Sequence, residues 1–408
     1  MADFSPPDND NRTGRRGADK SGTVAQKRYR APSQSDNARS NAIAPDRHSQ
    51  RIGNRAVKTG RAHSAPPTPN QPRPTRKQAY AALDLGTNNC RLLIARPSGE
   101  DFTVIDAFSR VVKLGEGLAK SGRLSDGAMD RTLGALKVCA EKLRKRNVHL
   151  ARSVATEACR RAANGTAFIE RVRAETGIAL DIISAEEEAR LAVLGCHILL
   201  EDSDSPAVIF DIGGGSTELV LIEPGDKVPR ILDWQSVPWG VVSLTDTVDG
   251  SEATQETRIA RYDRMRKIVF DSFAAFAERI AVRSRGARDI RLLGTSGTVT
   301  TLASLHLKLP QYDRQKVDGL IVPAQAMREI STRLSHMSPE ERGHLPCIGA
   351  DRADLVVAGC AILEAIMDIW PAQRLGVADR GIREGILRSL MAADAEGDRC
   401  RSELHNDL

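Results

Sequence analysis

Asp84 and Asp211 occupy the same place in two copies of one short pattern set 127 residues apart. Residues 82–94 read ALDLGTNNCRLLI and residues 208–222 read VIFDIGGGSTELVLI, so the shift lays Asp84 on Asp211, Gly86 on Gly213, Arg91 on Glu218 and Leu92 on Leu219. Each copy is an apolar run ending in Asp, one further apolar residue, a glycine-bearing turn and a second apolar run, which predicts strand, tight turn, strand. Gly213, Gly214 and Gly215 let successive amides point into one concavity and hold an anion, phosphate above all. Two copies imply two similar halves facing each other across a cleft, with each aspartate at a strand end where it can act on the same phosphates or cation.

Two further stretches carry chemistry. Residues 184–195, SAEEEARLAVLG, open a helix on a capping box, Ser184 with Glu187, and place three glutamates in its first turn, where the helix dipole accepts them. Glu188 shares a face with Leu191, Ala192 and Gly195, so its carboxylate is turned from solvent at the end of a strand, where it can take a proton from an attacking water. Residues 153–165, SVATEACRRAANG, bring Arg160 and Arg161 to a strand-to-helix junction; a guanidinium there grips oxyanions in a planar fork, and Arg160 is the choice of the two. A third glycine- and hydroxyl-rich junction, GTSGTVTTLA at residues 294–303, predicts a second anion- or nucleotide-facing loop.

The elements that must position these groups are an alternation of strands and amphipathic helices. A helix over 125–146 has Ser125 as N-cap and an apolar stripe of Met129, Leu133, Leu136, Ala140 and Leu143. Others run over about 255–283 and 352–370. Further strands are expected at 102–108, 180–183, within 231–242, at 289–293 and at 374–377, and a final helix at 379–391 followed by a charged, frayed end. The fold class is therefore α/β.

Totals narrow the classes. In 408 residues there is no uninterrupted apolar run long enough to span a membrane. Seven scattered cysteines without a CxxC pair and eight unclustered histidines argue for a reducing cytoplasm and against structural zinc or a His-ligated metal. Residues 1–78 carry 16 Lys and Arg against 6 Asp and nine of the 19 prolines, whereas the rest carries 43 basic against 47 acidic residues. That segment is expected to be a disordered basic tail, with contact to nucleic acid or another polyanion as its one sharper role.

Taken in order, LDLGTNNCRLLI, RVVKLGEGL, ATEACRRAANG, IISAEEEARLAVLG, IFDIGGGSTELVL, LGTSGTVTTLA and VADRGIREGIL resemble the exopolyphosphatase and guanosine pentaphosphate phosphohydrolase family. The resemblance implies two ribonuclease H-like domains of the actin-like ATPase superfamily around a central cleft: residues 79–200 plus a C-terminal helix at 381–392, and residues 201–380. It implies a Mg²⁺-dependent hydrolase of phosphoric anhydrides that frees the terminal phosphate of inorganic polyphosphate, with guanosine pentaphosphate (pppGpp) as the alternative substrate, working as a cytoplasmic homodimer. Glu188 falls on the family's catalytic glutamate. Thr87, Asn88, Asn89, Arg91, Arg160, Gly213, Gly214, Gly215, Ser216 and Thr217 fall on phosphate-binding positions, and Asp84, Asp211 and Glu218 become candidates for organising Mg²⁺. Many members continue into a further helical domain, whereas this chain ends one helix after VADRGIREG and resembles the short two-domain forms. A kinase of the same superfamily would need an adenine site and a sugar-binding subdomain, and no motif here supplies either.

Overall fold

The computed structural model describes residues 78–99, 101–201, 203, 205–223, 225, 228–283 and 290–406. The basic segment, except for Gln78, and part of the 201–206 loop lie outside the described residues.

Among the described residues eleven strands form two sheets: β1 (Ala79–Leu85), β2 (Asn89–Ser98), β3 (Asp101–Val111), β4 (Val148–Ala155) and β5 (Leu180–Ile182) in one; β6 (Ala207–Ile212), β7 (Thr217–Glu223), β8 (Arg230–Val237), β9 (Arg291–Thr295), β10 (Ile321–Pro323) and β11 (Arg374–Ala378) in the other. The first runs β3-β2-β1-β4-β5 and the second β10-β11-β9-β6-β7-β8. Counted from its own first strand, the second sheet runs 3-2-1-4-6-5 against 3-2-1-4-5 in the first, so β11 takes the place of β5 and β10 is added at the edge. Both begin with an antiparallel meander and then add parallel strands beside the first one. This is the ribonuclease H-like arrangement, present twice.

The repeat extends to single residues. Asp84 pairs with Arg91 across β1 and β2, as Asp211 pairs with Glu218 across β6 and β7. The turns close alike, Gly86 N donating to Asn89 O at 3.0 Å and Gly213 N to Ser216 O at 2.9 Å. Period-2 alternation fixes such a register, because a slip of one residue would turn every buried side chain outward.

Helices cover both faces of each sheet, as parallel strands require. Helix Asp126–Lys145 buries Met129, Leu133, Leu136, Ala140 and Leu143 on the first sheet, the predicted stripe, and Ser125 Oγ accepts from Ala128 N. Helices Gln255–Arg283 and Leu355–Ile369 pack on the second sheet through Met265, Phe273, Phe276, Ile362 and Ile366. Each fully buried apolar side chain of this kind contributes roughly 1.5–3 kcal/mol.

Helix Ala185–Cys196 sits between the halves. Leu191 and Ala192 join the cluster of Tyr80, Ala82 and Leu93, while Ala189, Val193 and Cys196 join that of Ala207, Ile209 and Val220. The final helix, Ile382–Asn406, returns to the first sheet through Ile382, Ile386, Leu387 and Leu390. It crosses the Ala185–Cys196 helix on glycine: a Cβ at Gly195 would lie 2.0 Å from Gly381 O, and one at Gly385 2.0 Å from Leu191 O. Side chains at either position would force the two helices apart. The final helix runs well past residue 391, where the charged composition predicted fraying; Ala, Glu, Arg and Leu in that stretch are strong helix formers whatever their charge. The last strand before it begins at Arg374 as expected, and β9 lies two residues later than the 289–293 expectation. Among the described residues no helix is long and apolar enough to cross a membrane.

Candidate active site

The carboxyl ends of β1, β4, β6 and β9 meet around one cleft, as open α/β sheets dispose their ligand sites. The cleft holds about 960 Å³ including its mouth. Asp84, Thr87, Asn88, Asn89, Arg91, Glu188, Asp211, Gly213, Gly214, Gly215 and Ser216 line it, so one cavity gathers most of the residues singled out from the sequence. Arg160, Thr217 and Glu218 are not among its lining residues. Thr156, Glu157, Ser296, Gly297, Thr298, Thr301 and Arg352 are.

The Ala185–Cys196 helix starts where β5 ends, with Ser184 Oγ accepting from Glu187 N at 3.2 Å. Of its three first-turn glutamates, Glu187 is drawn to the surface by Arg190 and Arg152, and Glu188 alone is buried. Glu188 Oε2 accepts from Arg160 Nη1 at 3.0 Å. The same Nη1 donates to Ile183 O at 2.8 Å, while Arg160 Nε and Nη2 donate to Glu157 Oε2 at 3.1 and 2.8 Å. Four of the five guanidinium N–H groups are thereby committed. The arginine expected to contact phosphate thus also holds the buried glutamate, Glu157 in turn holds the arginine, and one N–H of Nη2 is left over from these bonds. Burial opposes the charge of Arg160, yet Glu188 and Glu157 outweigh it and raise its pKa.

Burial first, then the Glu218 carboxylate, lift Glu188 well above the usual carboxylate range against the pull of Arg160. Asp211 is pushed up to about 8 by the same two causes, with Arg91 opposing. Burial also raises Asp84, although Arg91 and Arg383 counter it. Its Oδ1 is shut off from solvent without a hydrogen-bond partner, and so is Oδ1 of Asn88. Arg91 is shifted the other way: burial, and then Arg383, lower its pKa, which disfavours the bare cation. Burial disfavours both signs of charge on the side chains of the cleft, which is how a site built to receive an anion together with a cation behaves.

Glu218 and Thr217 are turned back into the second half. Glu218 Oε1 accepts from Ser216 Oγ at 2.6 Å and Ser236 Oγ at 2.9 Å, and Thr217 Oγ1 donates to Trp239 O at 2.6 Å. Both are buried and brace the glycine turn from behind. The 294–303 junction does reach the cleft: Ser296 caps helix Gly297–His306, accepting from Val299 N at 3.1 Å. Arg352 enters from the short turn Ala350–Arg352, ahead of the apolar helix Leu355–Ile369. In sequence it passes for a helix start, and only its isolation as a cation before a fully buried helix could have marked it.

Residues 93–394 match the model of the Ppx/GppA phosphatase family. The chain belongs to that family. The match takes in Arg160, Glu188 and the whole second hairpin. Exopolyphosphatase 2 of Mycobacterium tuberculosis is 30% identical over 325 residues, spanning 76% of this chain and 98% of the relative. The crystal structure of the Aquifex aeolicus member of the Ppx/GppA family aligns with a TM-score of 0.63 at 28% identity, covering 78% of this chain and 98% of that one. An exopolyphosphatase structure from Cytophaga hutchinsonii aligns at 0.66 with 24% identity, covering 78% and 98%, and shows the same fold. A Ppx/GppA phosphatase is a hydrolase, and the cleft between the two hairpins is the candidate site for its chemistry.

Proposed function

We propose that the chain is an exopolyphosphatase that uses Mg²⁺ to hydrolyse the terminal phosphate of inorganic polyphosphate. The observation that carries this is the pair of hairpin turns facing Glu188 in one cleft. The curated relative named above is an exopolyphosphatase, which supports the substrate class. No aromatic side chain is among the described residues that line the cleft, so a nucleobase has nothing to stack on there, and a chain of phosphates needs nothing of the kind.

The donor set suits a magnesium ion. Asp84 Oδ1 lacks a partner, and Asp211 holds its proton to about pH 8 in the same cleft. Among the described residues no three His, Cys, Asp or Glu side chains form a ready-made metal cage, in keeping with Mg²⁺, which takes one or two carboxylates and fills its shell with water and substrate phosphates. Asp84 and Asp211 are the ligands we assign, while Glu218 Oε1 is engaged by two serine hydroxyls. When bound, the ion would neutralise charge on the phosphate oxygens.

The chain's own residues then divide the work. Arg91 and the amides of the glycine turn receive the terminal phosphate, and the Asn88 and Asn89 amides hold its neighbour. Glu188, fixed by Arg160, takes a proton from the attacking water, and its raised pKa makes it a stronger base than a solvated carboxylate. The test is phosphate release with Mg²⁺ from long-chain polyphosphate and from pppGpp in parallel. We expect turnover of polyphosphate to exceed that of the nucleotide; a preference for pppGpp would overturn the substrate assignment.

A further inference from the structure

Glu157 opens the short helix Glu157–Arg161 and pairs with Arg160 three residues on, an ordinary arrangement at the start of a helix. Its surroundings are less ordinary. The side chain is only 16% exposed and lines the same cleft as Glu188. Its stem also lies against the other half of the molecule: a Cβ on Gly215 would come within 2.8 Å of Glu157 Cγ and 3.2 Å of Glu157 Cβ. The bare backbone at that point of the second hairpin turn leaves the glutamate its place.

Arg160 is divided between two carboxylates. The side edge of its guanidinium, Nε with Nη2, is taken by Glu157 Oε2 at 3.1 and 2.8 Å. Nη1 is left to reach Glu188 Oε2 at 3.0 Å and Ile183 O at 2.8 Å, the carbonyl just ahead of the helix that carries Glu188. Glu188 therefore receives a single N–H, where an unshared arginine would offer a two-pronged fork. Among the described residues Glu188 Oε1 accepts no hydrogen bond. The difference matters to a base. A carboxylate gripped on both oxygens by a whole guanidinium has its charge answered and its lone pairs occupied, whereas one held at Oε2 alone is fixed in place with Oε1 left to meet water.

We infer, on the reading of Glu188 as the base, that Glu157 is a positioning residue for the hydrolysis. By taking the side edge of Arg160 it limits that arginine to a one-point hold on Glu188. By resting on Gly215 it keeps this division in register with the second hairpin turn, so the base is set by groups from both halves. Without Glu157 the guanidinium is free to turn its fork onto Glu188, and the base is then both displaced and neutralised.

The experiment measures phosphate release from linear polyphosphate with Mg²⁺, and polyphosphate binding, for wild type, Glu157→Gln, Arg160→Met and the double variant, with thermal melts of all four. Slow proteins are read in single turnovers with enzyme in excess. Gln keeps the size of Glu157 and removes its charge. Glu157→Gln is expected to lower kcat roughly 10- to 100-fold, with binding no weaker and the melting temperature little changed. In the Arg160→Met background, which has no fork to position, the same change should cost less than about twofold. A wild-type kcat for Glu157→Gln overturns the inference. So does a loss of equal factor in both backgrounds, which gives Glu157 a role apart from Arg160, and so does weakened binding at unchanged kcat, which puts Glu157 on the substrate. If Glu157→Gln does not fold, Glu157→Asp takes its place, keeping the charge and drawing Arg160 back by one methylene. A fall in its kcat that disappears with Arg160→Met supports the inference, and a wild-type rate overturns it. Failure of wild type to release phosphate from polyphosphate is a different result: it removes the polyphosphate reading itself, and the role of Glu157 with it.

Discussion

The hairpins at 79–98 and 207–223 share a register, a turn hydrogen bond and a place in their sheets, yet they bring different chemistry to the same cleft. The first presents side chains: Thr87, Asn88 and Asn89 at its tip and a cation, Arg91, opposite its aspartate. The second presents backbone: three glycines and a serine, with an anion, Glu218, opposite its aspartate and tied back by two hydroxyls. Repeating the scaffold fixes two carboxylates face to face. Changing the cross-strand partner then lets one hairpin attract phosphate while the other offers amides and adds a buried carboxylate that lifts Asp211 and Glu188. Symmetry places the groups, and asymmetry makes them useful.

If the shared aspartates act as a pair, Asp84→Asn and Asp211→Asn should behave alike, each lowering turnover by roughly 10³-fold and raising the Mg²⁺ concentration needed for half-maximal rate. A variant that loses turnover with no change in Mg²⁺ demand would break the pairing. Arg91→Glu makes the first hairpin resemble the second. It should weaken substrate binding about 10- to 100-fold, read as a rise in KM, because a charged hydrogen bond to phosphate is replaced by a repulsion.

The aspartates also predict a pH effect. Burial pushes the Asp211 carboxyl up to about 8 in the folded chain from an ordinary aspartate value of 3.8, so between these values the metal-free protein loses stability as pH rises. A cation bound to the ionised pair reverses that loss. Thermal melts with Mg²⁺ and with a chelator should therefore differ more at pH 8 than at pH 5; an equal difference at both would contradict the assignment. The smallest effect belongs to Glu218→Gln, which keeps one acceptor for Ser216 and Ser236: about 1 kcal/mol of stability and a few-fold in rate. A loss as deep as that of Asp211→Asn would make Glu218 a ligand after all.

Much of this comparison was legible in the sequence, because it rests on local patterns. The Asp-apolar-Gly turn and its flanking apolar runs gave the repeat and laid Arg91 on Glu218, while the pairing of each with its own aspartate comes from the sheet register. The capping box located the start of the Ala185–Cys196 helix, and the apolar face singled Glu188 out of three glutamates. What escaped depends on contacts distant in the chain. Nothing local to Arg160 shows that its guanidinium is shared among Glu157, Ile183 and Glu188. Arg352 arrives in the cleft from nearly 200 residues beyond Arg160, on a turn too short to have a period of its own. The three-residue strand β10 is likewise below the length at which alternation can be read.

The most direct measurement is the rate of phosphate release from linear polyphosphate by Glu188→Gln beside wild type, with polyphosphate binding measured on the same two proteins. The variant keeps the size of the side chain and a carbonyl acceptor for Arg160, and removes the base. Turnover is predicted to fall on the order of 10²- to 10⁴-fold with binding little changed. A variant that releases phosphate at the wild-type rate would contradict the account at its centre, since Glu188 would then have no part in activating the water.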